Sequence, residues 1–299
     1  MSTSATFTDA VTLDVAEPQH FDLAFTARTQ ACPWPKAYGG DMVAQAVAAV
    51  VRSVTDGKSL HSMHSYFMRP VDIGAEIRYE VEILRDGRGY STRQVRGYQS
   101  GKTVYVCLAS FAAGEAGGSW SDPVPIDVPG PDGLQTSADY LAGRTGGTMT
   151  EEAKDYWSTG RSFDMRHVPG PVYVEVEGEP LPHQALWVRP FDRLRPVEGL
   201  SNEQRDLAAL AYVCDYTILE PVLRVLGRAW ADPGLVTASL DHAMWFHRPA
   251  PVDDWLLYVQ RAVAAESGRG TGAGSFFTSD GTHVASVVQE GMIREPKDR

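Results

Sequence analysis

The chain has 299 residues, of which 43% are hydrophobic and 22% charged, and it carries a formal net charge of −11. This length allows one large domain or two ordinary domains with real cores, and the acidic balance argues against a nucleic-acid-binding protein, which usually presents a basic face. Three cysteines (Cys32, Cys107 and Cys214) lie far apart without CxxC spacing, so the sequence predicts neither a disulfide framework nor a metal site.

The first twenty residues contain no basic segment followed by an apolar stretch, so no secretory signal is predicted. Residues 42–54, which follow 39-GGD-41, are mostly apolar and predict a buried helix. Strand-like segments come next, separated by turn residues with the spacing of an antiparallel meander. These strands are predicted at 60–68, 76–84, 90–98 and 103–111.

The middle of the chain breaks this pattern. Residues 116–133 are rich in Gly and Pro, and we expect 116–160 to form a surface connector. Strands are expected at 162–168 and 184–190, where they would supply the edge of a second sheet. Ser201 followed by Gln204 fits a capping box, which predicts a helix around 203–213.

The last third repeats the order of the first, with a helical stretch over 215–226 and four strands after it. These strands are predicted at 236–247, 255–263, 271–279 and 283–293. No apolar run along the chain approaches the length of a membrane-spanning helix. The C-terminal EPKDR also differs from a peroxisomal Ser-Lys-Leu address, so we expect a cytoplasmic protein.

A phrase of aromatic residues followed by Arg-Pro occurs twice. The stretch 64-HSYFMRP-70 aligns with 243-AMWFHRP-249 at an offset of 179 residues, so that Phe, Arg and Pro coincide. The order of a helix followed by an antiparallel meander occurs twice. It predicts an α+β fold of two tandem hotdog units (a double hotdog), each a curled antiparallel sheet around a central helix. The expected units are 1–115 and 161–299, joined by the connector. In each unit the phrase should end a strand, with its aromatic residues packed on the helix.

Two glycine-rich segments look like nucleotide-binding loops without meeting their requirements. Residues 97-GYQSGKT-103 have a shorter spacing between the glycines than a phosphate-binding loop, and no helix is predicted after them. Residues 268-GRGTGAG-274 lack the G-x-G-x-x-G order. No cofactor is therefore predicted.

Five stretches carry a resemblance to a known family. In chain order they are 38-YGGDMVAQA-46, 61-HSMHSYFMRP-70, 84-LRDGRGYSTR-93, 239-SLDHAMWFHRP-249 and 287-VVQEGMIR-294. They resemble the type II acyl-CoA thioesterases (TesB-like), and their order and spacing are more specific than any one stretch. The resemblance implies a double hotdog that hydrolyses acyl-CoA to a fatty acid and free CoA.

The same resemblance implies a catalytic set of an Asp, a Thr or Ser, and a Gln that together hold and activate water. These positions match Asp215, Ser239 and Gln289. Ser239 stands where Thr is common, which keeps the hydroxyl group. Asp41 stands where the first half of the family often carries Gln.

The residues themselves leave structural alternatives open. Asp215 interrupts the apolar stretch 208-AALAYVCDYTIL-219, where a carboxylate must be hydrogen-bonded, paired or raised in pKa, and a helix cap would also account for it. Ser239 and Gln289, taken singly, could be ordinary polar strand residues. Thioester hydrolysis needs an oriented water, a base and donors for the oxyanion, and the three residue types together supply them.

The repeat also predicts how many sites there are. At the offsets of the repeat, Ser239 corresponds to Leu60 and Gln289 to Ala109, and of the three residues only Asp215 has a counterpart, Asp41. We therefore expect one functional site per chain, at the helix of the second unit. Asp41 is expected to cap the first buried helix.

The expected partner is acyl-CoA, whose phosphates are best recognised by Arg and Lys. Candidate contacts are Gly268, Arg269 and Gly270 in one turn and Arg88 in another, although solvated surface arginines would look the same. Two chains are expected to associate as a dimer, because curled sheets leave open edges.

Two other functions remain open at this point. A hotdog hydratase acting on enoyl-CoA would need an Asp/His pair, for which Asp41 with His61 or His64 is the candidate. A catalytically silent acyl-CoA-binding protein could also keep the fold, although the intact Asp, Ser and Gln argue against it. A thiol-release assay separates these functions.

Overall fold

A computed structural model of the chain describes residues 3–125, 127–144 and 149–295. Residues 1–2, 126, 145–148 and 296–299 lie outside the described part, and they include parts of the expected connector and most of the C-terminal EPKDR segment. Within the described part, no helix is long and apolar enough to cross a membrane.

Helices and strands follow the predicted order, with additional short elements at the N-terminus and in the connector. The α-helices are α1 (Thr3–Ala10), α2 (Gly39–Val51), α3 (Ser137–Leu141), α4 (Glu151–Asp155), α5 (Asn202–Val213) and α6 (Glu220–Val225). The strands are β1 (Asp14–Ala16), β2 (Leu23–Arg28), β3 (Ser59–Phe67), β4 (Glu76–Asp86), β5 (Tyr90–Gln99), β6 (Lys102–Ala112), β7 (Phe163–Val168), β8 (His183–Pro190), β9 (Val236–Ser239), β10 (Asp241–Phe246), β11 (Leu256–Glu266), β12 (Arg269–Thr278) and β13 (His283–Arg294). Short 3₁₀ turns lie at Pro131–Gly133 and Cys214–Tyr216, and a π-helical turn at Tyr156–Gly160.

The strands form one continuous antiparallel sheet in the order β1-β2-β4-β5-β6-β3-β10-β13-β12-β11-β8-β7, with β9 also paired to β13. The order β2-β4-β5-β6-β3 in the first half is mirrored by β8-β11-β12-β13-β10 in the second. The halves join side by side where β3 pairs with β10. His64 lies opposite Ala243 there, and these two residues are related by the same 179-residue offset as the repeated phrase.

The repeated phrase makes the same hydrogen bonds in both halves. After β3, the amides of Met68 and Arg69 both donate to the carbonyl of Val104, and after β10 the residues at the repeat offset donate in the same way to Val284. The Arg of each phrase also donates from its guanidinium to the carbonyl just before that valine. The phrase therefore ends each strand as predicted. The aromatic residues do not all pack inward, however, since Phe246 is 7% exposed but Tyr66 is 60% exposed.

The central helix α2 lies in the middle of the core. It begins at Gly39, three residues before the predicted start, and all its residues from Gly40 to Val51 are buried. Its one long polar side chain, Gln45, donates to the carbonyls of Ala10 and Arg28. These bonds satisfy a buried amide and fix α2 against the N-terminal helix and β2.

The second half departs from the sequence prediction in its helices. Helix α5 is capped by Ser201 with the predicted capping box. The continuous helix predicted over 215–226 is wrong, because a 3₁₀ turn ends α5 and α6 begins only at Glu220. Pro221 explains the break, since a proline is tolerated in the first turn of a helix but not in its interior. Asp215 therefore lies in a turn between two helices and not on a helix.

A stripe of glycines brings this broken segment onto the sheet. Gly270, Gly272 and Gly274 alternate along β12. A Cβ on Gly272 would lie 2.1 Å from the carbonyl oxygen of Ile218, and one on Gly270 would lie 2.5 Å from Val222. The segment 268-GRGTGAG-274 thus has a packing function, because the absence of side chains lets the chain after Asp215 lie directly on the strand.

The expected surface connector is only partly on the surface. Tyr140 and Trp157 are both 4% exposed and pack in one cluster with Tyr173. The rings of Trp157 and Tyr173 lie 4.5 Å apart, and Trp230 packs on the same cluster. Burial of large aromatic side chains stabilises this part of the connector although the composition around it is typical of a loop. Part of the connector therefore belongs to the core of the second half.

Candidate active site

The structure brings the three predicted residues Asp215, Ser239 and Gln289 into direct contact. The hydroxyl of Ser239 donates to Oδ1 of Asp215 at 3.1 Å. The amide nitrogen of Gln289 donates to the same oxygen at 2.5 Å and to the Ser239 oxygen at 3.0 Å. Gln289 is buried, whereas Asp215 and Ser239 are partly exposed. The three side chains form a closed triangle in which Asp215 and Ser239 are the partly exposed members.

A break between β9 and β10 aims Ser239 into this triangle. The five residues from Ser239 to Ala243 lie opposite only four residues of β13, 288–291. Residues three apart on a regular strand point to opposite faces, but the extra residue puts Ser239 and His242 on the same side as Gln289. A bulge therefore decides which side chains meet at the site.

The first half of the chain holds Asp215 from the other side. A Cβ on Gly39 would lie 2.7 Å from Oδ2 of Asp215, so the carboxylate rests against the first residue of α2. The ring of Tyr38 stacks on that of Tyr216 at 4.3 Å, and its hydroxyl donates to the carbonyl of Tyr212 at 2.7 Å. These contacts fix the turn that carries Asp215 onto the start of α2.

This placement gives the two carboxylate oxygens of Asp215 different surroundings. Oδ1 accepts two hydrogen bonds from side chains, while Oδ2 faces the start of α2 at Gly39. The first amide groups of an α-helix have no partner within the helix and lie at the positive end of its dipole. The sequence stretch 38-YGGD-41 was part of the family resemblance, but its glycines were not predicted to contact the site.

The prediction that Asp41 caps α2 is wrong. The N-cap residue is Tyr38, which makes no capping bond through its side chain. The Asp41 carboxylate instead accepts from the backbone and side-chain nitrogens of Gln30 at 2.9 and 2.7 Å. Burial raises the pKa of Asp41 to about 7, and the charge of Asp215 adds to this effect while the Gln30 bonds oppose it.

His242 is a buried neighbour of the triangle to which the sequence assigned no role. Its Nδ1 lies 3.0 Å from Oε1 of Gln289, and its Nε2 lies 4.0 Å from the sulfur of Cys214. Burial lowers its pKa. Its position in the motif 241-DHAMWFHRP-249 was the available signal, since it falls on the same face of β10 as the buried Met244.

One of the two predicted CoA-binding turns lies near the triangle. Arg269 is opposite Met292 on β13, and Met292 is opposite Ala238, the residue before Ser239. The Arg269 side chain is half-exposed and bonds Glu290 at 3.3 Å. The two flanking glycines contribute backbone geometry, with Gly268 at a positive φ of 74° and Gly270 packed under α6.

Arg88 lies far from the triangle. It is in the turn before Tyr90. Tyr90 pairs with Ala112 of β6, and Ala112 in turn pairs with Ser59, the first residue of β3. The triangle is at the other end of β3, where Phe67 lies under Gly39. At about 3.3 Å per residue, these ends are roughly 26 Å apart. Within one chain, the structure does not bring Arg88 and Arg269 to a common site.

The residues considered for a hydratase are not paired. His61 bonds the hydroxyl of Ser110 at 2.9 Å, and His64 lies on the exposed face with its ring 5.2 Å from Trp245. The carboxylate of Asp41 is directed to Gln30 instead.

Comparison with known proteins agrees with the resemblance seen in the sequence. Residues 30–112 match the family model described as "Acyl-CoA thioesterase N-terminal domain". Residues 136–293 match that described as "Acyl-CoA thioesterase C-terminal domain". Together these matches cover most of the sheet and all three residues of the triangle.

Individual relatives give the same result along nearly the whole chain. The chain is 32% identical to human acyl-coenzyme A thioesterase 8 over 289 residues, which covers 93% of this chain and 86% of that protein. The solved acyl-CoA thioesterase II TesB2 from Mycobacterium marinum is 29% identical, with a TM-score of 0.74 over 97% of this chain and 99% of that one. A hot dog fold protein from Alicyclobacillus acidocaldarius is 19% identical with a TM-score of 0.74, over 97% and 98% of the two chains, and supports the fold alone.

Proposed function

The chain belongs to the acyl-CoA thioesterase family, and on that premise we propose that it hydrolyses acyl-CoA to a fatty acid and CoA with water held by Asp215, Ser239 and Gln289. The observation that carries this assignment is the closed hydrogen-bonded triangle of the three side chains. It joins a carboxylate, a hydroxyl and an amide at a partly exposed position. These are the groups that water activation requires.

In the proposed reaction Asp215 is the general base. Its Oδ1 is occupied by two donors, so Oδ2 takes a proton from the attacking water. The water oxygen forms a bond to the thioester carbonyl carbon, and the carbonyl oxygen becomes an oxyanion near the first amides of α2 at Gly39. The carbon–sulfur bond then breaks, and the CoA thiolate takes up the proton held by Asp215.

Ser239 is proposed to orient water and not to form an acyl-enzyme. In the described part of the chain, its hydroxyl bonds Asp215 and Gln289 rather than an imidazole that would activate it as a nucleophile. Its hydrogen is directed to the carboxylate, which leaves a lone pair of its oxygen for a water. Acyl mass on a peptide containing Ser239 after a quenched turnover would contradict this assignment.

We further propose that 1–115 and 161–299 are two hotdog units in tandem. The mirrored strand order of the two halves supports this organisation. The open ends of the sheet at β1 and β7 support the association of two chains into a dimer. A monomeric mass by light scattering would exclude the dimer without affecting the chemistry.

CoA is proposed to lie across the turn of Gly268, Arg269 and Gly270, two strands away from Ser239. Its anionic phosphates would compete with Glu290 for the Arg269 guanidinium. Arg269→Ala should raise KM for acyl-CoA several-fold with little change in kcat, whereas Arg88→Ala should leave both unchanged within one chain. Equal effects of the two changes would point to a CoA path that crosses between chains.

The activity itself is tested by release of free thiol from acyl-CoA substrates of increasing chain length. Turnover of at least part of the series by the wild-type chain is expected. Asp215→Asn should abolish most of it in a protein that melts normally. Acyl-CoA binding without thiol release by the wild type would favour a silent binding protein.

A further inference from the structure

The reaction as proposed uses three side chains but not His242, which lies directly beneath them. We propose that His242 is a positioning residue for the hydrolysis, because the hydrogen on its Nδ1 holds the Gln289 amide in the one orientation that serves Asp215 and Ser239. This inference rests on the proposed function. The side chains of His242 and Gln289 are both 1% exposed, so water cannot substitute freely for the bond between them.

The direction of each hydrogen bond follows from the Asp215 carboxylate. An ionised carboxylate only accepts hydrogen bonds, so the Gln289 group 2.5 Å from Oδ1 must be the NH₂. The second hydrogen of that NH₂ goes to Ser239, whose own hydrogen goes to Asp215. The amide oxygen of Gln289 must then face His242 at 3.0 Å, and an oxygen there requires a hydrogen on Nδ1.

The opposite side of the imidazole fits the same tautomer. Nε2 of His242 lies 4.0 Å from the sulfur of Cys214, and that thiol is directed to the carbonyl of Ala211 at 3.3 Å. A sulfur is a weak acceptor, so a hydrogen on Nε2 would gain little while leaving two lone pairs opposed at Gln289. Burial lowers the pKa of His242, which favours the neutral ring with a hydrogen on one nitrogen.

Loss of the Nδ1 donor should release the amide. Rotated by half a turn, the Gln289 amide would place its oxygen against the Asp215 carboxylate, and the triangle would lose both amide donors. The water held by Ser239 and the base would then be misplaced during the chemical step. A defect of this kind lowers kcat and leaves KM for acyl-CoA nearly unchanged.

A pair of substitutions separates this role from packing. In His242→Asn the amide nitrogen can take the position of Nδ1, whereas His242→Leu fills the space without a donor. We expect kcat within about threefold of wild type for the Asn variant and a loss of about 10- to 100-fold for the Leu variant. Met244→Leu, a buried change on the same face of β10, is the matched control and should keep normal kcat. Equal losses in the Asn and Leu variants would overturn the proposal.

A double-variant cycle tests whether His242 acts through Gln289. In a Gln289→Ala background the amide is gone, so His242→Leu should cause no further loss of kcat. Additive losses would show an independent, structural role and overturn the inference alone. Normal kcat in Gln289→Ala itself would instead overturn the proposed function, and the inference with it.

The tautomer can be read directly in the wild-type protein. The chain has eight histidines, and ¹⁵N-histidine spectra compared with those of His242→Asn identify the signal of His242. A hydrogen on Nδ1 with a bare Nε2 is expected at neutral pH. A neutral ring protonated on Nε2 would overturn the proposal whatever the variants do.

Discussion

Two carboxylates lie near the start of α2, and only one has the surroundings of a catalytic base. Asp41 and Asp215 each follow a tyrosine by three residues, at an offset of 174 residues. Asp215 accepts from a hydroxyl and an amide and stays partly exposed. Asp41 is 1% exposed and accepts from Gln30. Both halves have a carboxylate at this position, and they differ in its hydrogen-bond partners and in its exposure to solvent.

The positions that match the triangle in the first half explain the difference. Leu60 and Ala109 stand at the offsets of Ser239 and Gln289, and both are buried in the hydrophobic core. Neither can donate a hydrogen bond to a carboxylate or hold a water. The first half therefore supplies the backbone of Gly39 to the site while its own carboxylate stays inside the protein.

The largest expected effect separates the two carboxylates. Asp215→Asn should lower kcat by about 10²-fold or more, because the variant has no base for the attacking water. Asp41→Asn should leave kcat within a few-fold of wild type. Steady-state thiol release by both variants, with melting curves to show that each is folded, checks the pair. Similar losses of kcat in folded variants would mean that Asp41 also takes part in the chemical step.

The next effect concerns the contact between the halves. Gly39→Ala places a Cβ where it would lie 2.7 Å from Oδ2 of Asp215, so the carboxylate must shift. A misplaced base should cost between about 10- and 100-fold in kcat. The Cβ would also lie 3.2 Å from the Phe67 ring, so a melting curve must show that the variant remains folded.

Gly133→Ala is the matched control, since a Cβ there meets no atom within 4 Å. It should change neither kcat nor the melting temperature. Normal kcat in Gly39→Ala would show that Oδ2 is not the oxygen that faces substrate and water.

A smaller effect is expected at the hydroxyl. Ser239→Ala removes one of the two donors to Oδ1 of Asp215 and should lower kcat by about tenfold. Ser239→Thr keeps the hydroxyl and should remain within a few-fold of wild type. Thiol release at saturating acyl-CoA measures both. An inactive threonine variant would show that the space around Ser239 excludes a methyl group.

The smallest effect on activity, but a clear one on stability, is expected for Asp41. Its pKa is raised to about 7 from an ordinary value of 3.8, so between these pH values the folded chain holds a proton that the unfolded chain has lost. The contribution of Asp41 to stability is therefore present below about pH 4 and is lost as pH rises through about 7.

Asp41→Asn removes this dependence. The melting temperature of the variant should rise relative to wild type as the pH increases from 5 to 8, and thermal unfolding at several pH values measures it. Parallel curves for the two proteins would show that the ionisation of Asp41 is not coupled to folding.

Much of the fold could be predicted because it depends on local patterns. Strand alternation and turn residues located the meanders, and the capping box at Ser201 located the start of α5. The break between α5 and α6 was missed because the apolar pattern of 215–226 is compatible with a helix, whereas Pro221 and the glycine stripe of β12 favour a turn. The buried part of the connector was missed because loop-like composition conceals aromatic residues whose partners are distant in sequence.

By itself the sequence determined the repeat, the family resemblance and the candidate site residues Asp215, Ser239 and Gln289, because each depends on residue types at fixed spacing. The tertiary structure alone decided how these residues face each other. One extra residue at the break between β9 and β10 turns Ser239 and His242 to the same side. The approach of Gly39 gives the two oxygens of Asp215 different neighbours. Such contacts join residues from 24 to 176 positions apart in the sequence, and only the tertiary structure brings them together.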